Sequence, residues 1–186
     1  MATVDDIYQE CRHKMEVTLH ALRHEFNGLR TGRASAALLD RVMVDAYGST
    51  LPLNQVATIS VPDAATLQIK PFDKNVIGAI EKGISRTDLG LTPNNDGQTI
   101  RLVIPPLTRE RREELVKTAK HEAENARVAL RNVRREANDH VKRLKTNGDI
   151  TEDMEKLAHD EVQKITDGFM AKLEEELKKK EAEILE

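Results

Sequence analysis

The segment LTRERREELVKTAKHEAENARVALRNVRREANDHVKRLKT, residues 107–146, decides the fold of this chain. It contains no proline or glycine, and its apolar residues recur with the period of a helix. At 1.5 Å per residue, a helix of this length is about 60 Å long. Pro105 and Pro106 separate it from what precedes it, and Asn147-Gly148-Asp149 provides the turn after it. The apolar stripe of such a helix needs partners to cover it.

Two other helices, predicted at residues 3–30 and 151–184, supply those partners. Thr3 and Thr151, each followed closely by acidic residues, are typical of helix starts. Both segments carry an apolar stripe at helical spacing. In the third helix the stripe is predicted to comprise Met154, Leu157, Ala158, Val162, Ile165, Phe169, Leu173, Leu177 and Ile184. The three stripes predict an antiparallel three-helix bundle.

The middle of the chain has a different periodicity. All six prolines lie between positions 52 and 106. Strands are predicted at 42–47, 59–61, 66–70 and 99–104, with a hairpin turn at Gly48-Ser49 and a short helix at 76–84. We therefore predict an α+β fold in which a small domain, residues 31–105, is inserted into a bundle formed by residues 1–30 and 106–186.

The chain crosses between these two domains near residues 30–34 and again near 104–107. Two short crossings make a hinge, so we expect a variable angle between the domains. Gly32 also has a simpler interpretation as the stop signal of the first helix. The predicted hinge residues are Thr31, Gly32, Ala34, Pro105 and Pro106.

Charge is distributed unevenly along the chain. The formal net charge is −3, but residues 107–147 hold 12 Lys and Arg against 7 Asp and Glu, whereas residues 148–186 hold 6 against 13. At 100° per residue, the basic side chains of the long helix gather about a third of a turn from its apolar stripe, where they can be exposed. This row comprises Lys120, Arg127, Arg131, Arg134, Asn138, Lys142 and Lys145, with Arg135 at its edge.

Arginine at four of these positions favours RNA as the partner. The guanidinium group is a planar fork of donors that matches phosphate oxygens. Only 3% of residues are aromatic, which disfavours stacking on single strands and favours a structured RNA. The alternative is a solvated face whose charges pair within the helix, as Lys120 can with Glu124. Arg30 and Arg33, near the first crossing, can equally contact RNA or bridge the two domains.

No catalytic site is indicated. His20 and His24 have a spacing that can bind a metal ion, but they lack a third ligand. The single Cys11 excludes an intrachain disulfide, and no apolar run is long enough to span a membrane. We expect a cytoplasmic protein that is not an enzyme and has no metal or cofactor. A coiled-coil tether and a histidine-dependent enzyme stay open as rival functions.

Several stretches resemble the ribosome recycling factor family, and together they extend over essentially the whole chain. They are LRTGRA at 29–34, DLGLTPN at 88–94, IPPLTRERR at 104–112, and ARVA at 126–129 followed by RNVRREAND at 131–139.

The resemblance implies an L-shaped monomer, with a three-helix bundle and a β/α/β domain joined by a flexible hinge. It implies binding to the post-termination ribosome, through ribosomal RNA of the large subunit. With elongation factor G and GTP hydrolysis by that partner, members of the family dissociate the ribosome into subunits and release mRNA and tRNA. The implied RNA-contacting residues are Arg131 and Arg134 with their neighbours Arg127 and Arg135, and the basic positions Arg30, Arg33 and Arg111 near the crossings.

Overall fold

The computed structural model describes residues 3–29 and 31–186. The chain divides into two compact units: Met1–Thr31 with Arg109–Glu186, and Gly32–Thr108. The predicted crossings at 30–34 and 104–107 lie next to these boundaries. Arg30, one of the predicted RNA contacts, lies outside the described residues.

The helices and strands are numbered in chain order. The helices are α1 (Val4–Gly28), α2 (Leu53–Val56), α3 (Ile77–Arg86), α4 (Arg109–Thr146) and α5 (Glu152–Leu185). The strands are β1 (Met43–Ala46), β2 (Ser49–Pro52), β3 (Ala57–Asp63), β4 (Thr66–Pro71), β5 (Pro93–Asn95) and β6 (Ile100–Val103). Among the described residues, no helix has both the length and the apolar character needed to cross a membrane.

The predicted starts of two long helices are confirmed. Thr3 and Asp6 form a capping box at the start of α1, in which the Thr3 hydroxyl accepts from the Asp6 N–H at 3.2 Å and the Asp6 carboxylate accepts from the Thr3 N–H at 2.9 Å. Thr151 caps α5 by accepting from the Met154 N–H. The first helix ends at Gly28 rather than at 30, because glycine weakens the last turn. Gly32 is therefore not the stop signal of this helix.

Ion pairs between helices establish their directions in the bundle. Arg12 pairs with Glu161 and Arg23 with Glu176, so α1 and α5 run parallel. The turn at 147–151 connects α4 to α5, and it makes them antiparallel neighbours. The predicted antiparallel three-helix bundle is therefore confirmed.

Two residues of the predicted stripe in α5 do not join the core. Leu157 is 68% exposed and Met154 is 47% exposed, so these predictions are wrong. At 100° per residue, Leu157 lies about 140° around the helix from Val162, which is buried near the centre of the stripe. The other seven positions of the predicted stripe are buried: Ala158, Val162, Ile165, Phe169, Leu173, Leu177 and Ile184.

The second unit contains two antiparallel sheets around a core of its own. One sheet pairs β1 with β2, and the other has the order β3-β4-β6-β5. Helix α3 packs on β1, where Gly83 approaches the carbonyl of Met43 so closely that a Cβ atom would collide with it. The core of this unit is formed by aliphatic side chains of both sheets and of α3. This is the small α+β domain that the sequence predicts.

The structure corrects the prediction for the middle of the chain at the first hairpin, at the short helix α2 (Leu53–Val56), which the sequence does not predict, and at residues 93–95. The left-handed residues of the first hairpin turn are Tyr47 and Gly48, not Gly48 and Ser49, since Ser49 already pairs with Ala46 in the sheet. Pro93–Asn95 forms strand β5, which the sequence does not predict because its residues do not alternate between apolar and polar.

Candidate nucleic-acid interface on helix α4

The basic row of α4 borders the seam between α4 and α5. Its members contact α5 in pairs that run antiparallel along the two helices. These pairs are Lys120–Glu181 at 3.9 Å, Arg127–Glu174 at 2.6 Å, Arg134–Gln163 at 3.5 Å, Asn138–His159 at 2.8 Å and Lys145–Glu155 at 3.7 Å. The prediction that this row is free to face solvent is therefore only partly right, because a helix flank beside the apolar stripe also lines the seam.

Arg127 is a residue of the seam rather than of the open surface. Its side chain is only 20% exposed, and it lies between two carboxylates. Nε donates to Glu174 at 2.6 Å, and Nη1 donates to Glu124 at 2.9 Å. These bonds, with Glu174 the stronger influence, raise the pKa of the guanidinium group. The side chain therefore ties α5 to α4 and offers little of its surface to an RNA.

Arg131 lies further toward solvent. Its side chain is 42% exposed, and Nη1 donates to Glu124 at 3.4 Å. Within residues 3–29 and 31–186, this is the one hydrogen bond that its guanidinium group makes. Most of its donors are therefore available to phosphate oxygens.

Arg135 and Lys142 share that outward direction with Arg131. Both are exposed, and neither forms an ion pair with any residue that the structure describes. At 100° per residue, the three positions lie within about 40° of one another on α4. We call Arg131, Arg135 and Lys142 the outer basic face. It presents three positive charges on one rigid element.

Arg134 lies on the other side of the row, toward α5. It is half-buried, and Nη1 donates to the amide oxygen of Gln163 at 3.5 Å, a long and therefore weak bond. Arg134 can leave Gln163 at little cost, so it stays a candidate at the edge of the interface.

The sequence did not reveal that Glu124 bonds to the arginines of this site. Its two carboxylate oxygens accept from two arginines, Oε2 from Arg127 and Oε1 from Arg131. The Arg127 bond is the main reason why the pKa of Glu124 is lowered. The expected partner of Glu124 was Lys120, which instead pairs with Glu181 of α5. The sequence did carry a signal for these bonds. Glu124 lies three residues before Arg127 and seven before Arg131, and this spacing places all three on one side of a helix.

Two further basic candidates are described, Arg111 on α4 and Arg33 in the second unit. Arg111 lies in the first turn of α4, exposed, and pairs with Glu114 at 2.9 Å. Its neighbour Arg112 reaches the end of α5, where Nη1 donates to the carbonyl of Leu185. Arg33 belongs to the other unit and is exposed.

The segments at the two predicted crossings are anchored to the same turn of the second unit. Ala34 N–H donates to the carbonyl of Ala64, and Ile104 N–H donates to the carbonyl of Ala65, each at 2.7 Å. Pro105 and Pro106 follow and are exposed. Both segments therefore belong firmly to this unit as far as residues 34 and 104.

Gly32 packs against the second of these segments. Its φ is +77°, and a Cβ atom there would lie 3.0 Å from Cγ of Leu107. Thr31 precedes it and is half-buried. Glycine is needed at position 32 both for the left-handed backbone and for this close approach.

Histidine and cysteine do not assemble a reactive site in the part of the chain that the structure describes. His20 and His24 are exposed on α1, and no group of three potential metal ligands occurs among the described residues. Cys11 is buried in the bundle, as its position on the apolar stripe predicts, and burial raises the pKa of its thiol.

The family model described as "Ribosome recycling factor" matches residues 22–185. The chain belongs to the ribosome recycling factor family. The resemblance of its quoted motifs to this family is thus confirmed.

Individual ribosome recycling factors match over almost their full length. The factor of Carboxydothermus hydrogenoformans is 53% identical over 182 residues, covering 98% of each chain. That of Listeria monocytogenes is 53% identical over 181 residues, covering 97% of this chain and 98% of the relative.

Solved structures of ribosome recycling factors share the fold. A solution structure of the ribosome recycling factor is 40% identical with a TM-score of 0.77, and the match covers 100% of this chain and 98% of that one. Models for the T. thermophilus ribosome recycling factor and the E. coli elongation factor G bound to the E. coli post-termination complex contain a second match. It is 48% identical with a TM-score of 0.64, and it covers both chains completely. The predicted α+β class is confirmed.

Proposed function

We propose that this chain recycles ribosomes after termination. It binds the post-termination ribosome and, with elongation factor G and GTP hydrolysis by that partner, promotes dissociation into subunits and release of mRNA and tRNA. The observation that carries the proposal is the family match over residues 22–185. A relative that is 48% identical over its whole length is found with elongation factor G on a post-termination complex, which supports the same partner here.

The role we propose is mechanical rather than catalytic. The chain needs no metal or cofactor of its own, acts as a monomer in the cytoplasm, and leaves GTP hydrolysis to the elongation factor. Its contribution is a rigid helical element that is anchored on RNA. Helix α4 is 38 residues long, about 57 Å at 1.5 Å per residue, and so can transmit force over that length.

The proposed anchor is the outer basic face of α4, bound to ribosomal RNA of the large subunit. Arg131 is its centre, with Arg135 and Lys142 beside it and Arg134 at its edge. Arg127 supports the face from the seam. The predicted contacts Arg30, Arg33 and Arg111 would add charge near the crossings. Hydrogen bonds between guanidinium groups and phosphates are charge-assisted, so each is worth about 1.5–3 kcal/mol.

The test is ribosome binding and subunit splitting by the double variant Arg131→Ala, Arg134→Ala. Loss of two such contacts should weaken binding to large subunits at least about tenfold and should reduce splitting, followed by light scattering, in proportion. The matched control removes two exposed lysines of α5, Lys164→Ala with Lys178→Ala, and should stay within about twofold of wild type. Near-normal binding and splitting by the arginine variant would refute the arginine assignment.

The proposed hinge lies at the edges of the second unit. Ala34 and Ile104 are both held by the turn at Ala64 and Ala65. We therefore place the flexing residues outside these two anchors, at 31–33 and at 105–108, which include Gly32, Pro105 and Pro106. A fluorophore pair tests this, with one dye on α5 and one on α3 in a Cys11→Ser background. We expect the distance distribution to change when elongation factor G and GTP are added to the ribosome-bound protein. One unchanged distance throughout recycling would contradict a moving hinge.

A further inference from the structure

Glu124 lies on α4 about two turns before Arg131, on the same side of the helix as the outer basic face. Its Oε1 lies 3.4 Å from Arg131 Nη1, and its Oε2 lies 2.9 Å from Arg127 Nη1. The carboxylate is itself exposed, with 52% of its side chain accessible. An RNA phosphate that approaches Arg131 therefore also approaches a negative charge.

The two bonds of Glu124 are not equal. Arg127 is held from both sides, by Glu124 and by Glu174, and it is largely covered. Arg131 makes a single, longer bond and is more exposed. If one guanidinium group leaves Glu124, it is that of Arg131, while Arg127 keeps the carboxylate in place.

We propose that Glu124 is a specificity-determining residue of the RNA-binding face, because it competes with phosphate for Arg131. This inference rests on the proposed function, in which Arg131 binds ribosomal RNA. In the free protein the carboxylate partly neutralises Arg131. In the complex it stays beside the bound phosphate and repels it.

The repulsion has different consequences for different RNAs. A generic duplex has its phosphates at a fixed spacing, so a phosphate that reaches Arg131 cannot be placed away from Glu124 and meets the full repulsion. A folded RNA that also binds Arg135 and Lys142 can place its phosphate on the outward donors of Arg131, further from the carboxylate, where the repulsion is smaller. Selectivity is a difference of two affinities, so a contact that penalises the wrong partner more raises it. A phosphate bound by Arg131 lies within about one Debye length, about 8 Å, of Glu124, so physiological salt does not fully screen the repulsion between them.

Replacing Glu124 by glutamine tests this, since the amide has the same shape without the charge. We expect Glu124→Gln to bind a generic RNA duplex about three- to fivefold more tightly at a fixed salt concentration, and to gain clearly less affinity for large ribosomal subunits. An equal gain on the duplex and on the subunits would overturn the role in specificity. The matched control is Glu113→Gln. Glu113 is exposed on the same helix and pairs with Arg109 at 3.2 Å, so this change removes one similar charge away from the face. It should change binding to either RNA less than twofold.

The same change in an Arg131→Ala background separates the inference from the function on which it rests. We expect Arg131→Ala to weaken ribosome binding, and Glu124→Gln to give no further gain on the duplex in that background. If Arg131→Ala binds ribosomes normally, the arginine assignment falls and this inference falls with it. If Arg131→Ala weakens binding but Glu124→Gln leaves duplex binding unchanged, only the inference is overturned. An equal gain in the Glu113→Gln control, or with Arg131 absent, also overturns it, because bulk charge is then responsible.

Discussion

Arg127 and Glu174 join α4 to α5 across the seam of the bundle, with Arg127 Nε donating to Glu174 Oε1 at 2.6 Å. The same guanidinium group also donates to Glu124, so it is held between one carboxylate of each helix. Arg131, one turn further along α4, has a single bond and faces outward. Neighbouring arginines of one row therefore have different roles: Arg127 stabilises the bundle, and Arg131 is available to a partner.

This division predicts that two alanine variants affect different properties, Arg127→Ala the stability of the protein and Arg131→Ala its binding to the ribosome. Arg127→Ala should lower the free energy of unfolding by about 1 kcal/mol, because it removes the partner of Glu174 and one of the two bonds of Glu124, and uncovers part of the seam. Arg131→Ala should change that free energy by less than about 0.5 kcal/mol, as is usual for exposed positions, yet weaken ribosome binding. Urea unfolding followed by circular dichroism measures the first quantity, and ribosome pelleting measures the second.

A double-mutant cycle with Glu174→Ala isolates the cross-helix pair. We expect Arg127 and Glu174 to be coupled by about 0.5–1 kcal/mol, since they are in direct contact. Equal losses of stability in Arg127→Ala and Arg131→Ala, or additive effects in the cycle, would show that the two arginines are not distinguished in this way.

The helices could be read from the sequence because their signals are local. Thr3 and Asp6 are three residues apart, and a capping box needs nothing else. The apolar stripes likewise depend on spacing alone. Strand β5 has no such signal, since Pro93–Asn95 is a strand only through its pairing with β6.

The division of the basic row at the seam could not be read from the sequence either, because it depends on contacts with a distant part of the chain. The helical period places Arg127 and Arg131 near each other on α4, but it does not tell which of them the next helix covers. That depends on Glu174, which lies 47 residues away along the chain. Sequence thus located the basic side of α4 correctly and could not divide it into a seam and an outer face.

Gly83 and Gly78 of α3 make a matched pair for testing how this helix packs. A Cβ atom at Gly83 would overlap the Met43 carbonyl of β1, whereas one at Gly78 would meet nothing within 4 Å. Gly83→Ala should therefore destabilise the protein by about 2 kcal/mol or more, because the backbone must shift. Gly78→Ala should stabilise it by about 0.5 kcal/mol, because alanine favours the helix. Thermal unfolding of both variants checks this, and a similar effect of the two would mean that α3 does not depend on this contact.

The stability that the turn between β5 and β6 contributes should depend on pH through the carboxylate of Asp96. The Thr99 N–H, and then the Gln98 N–H, donate to its carboxylate and lower its pKa. A lowered pKa in the folded state means that the bonds stabilise the fold above the unfolded value of about 3.9, and that this stability is lost as pH falls below it. Asp96→Ala should therefore melt at a lower temperature than wild type near pH 6, and the difference should shrink toward about pH 2. A difference that is constant over this range would argue against the carboxylate as its source.

Gly32, in the proposed hinge, has a left-handed backbone and a close contact with Leu107, and both features require glycine. Its φ of +77° alone would strain an alanine, and the added Cβ atom would also press on Cγ of Leu107 at 3.0 Å. Gly90 has a φ of +66° with open space around it, so Gly90→Ala measures the strain alone, about 1 kcal/mol. Gly32→Ala should cost about 1 kcal/mol more in thermal unfolding, and adding Leu107→Ala should remove that excess. If Gly32→Ala and Gly90→Ala lose the same stability, the contact with Leu107 is not what requires glycine at the first crossing.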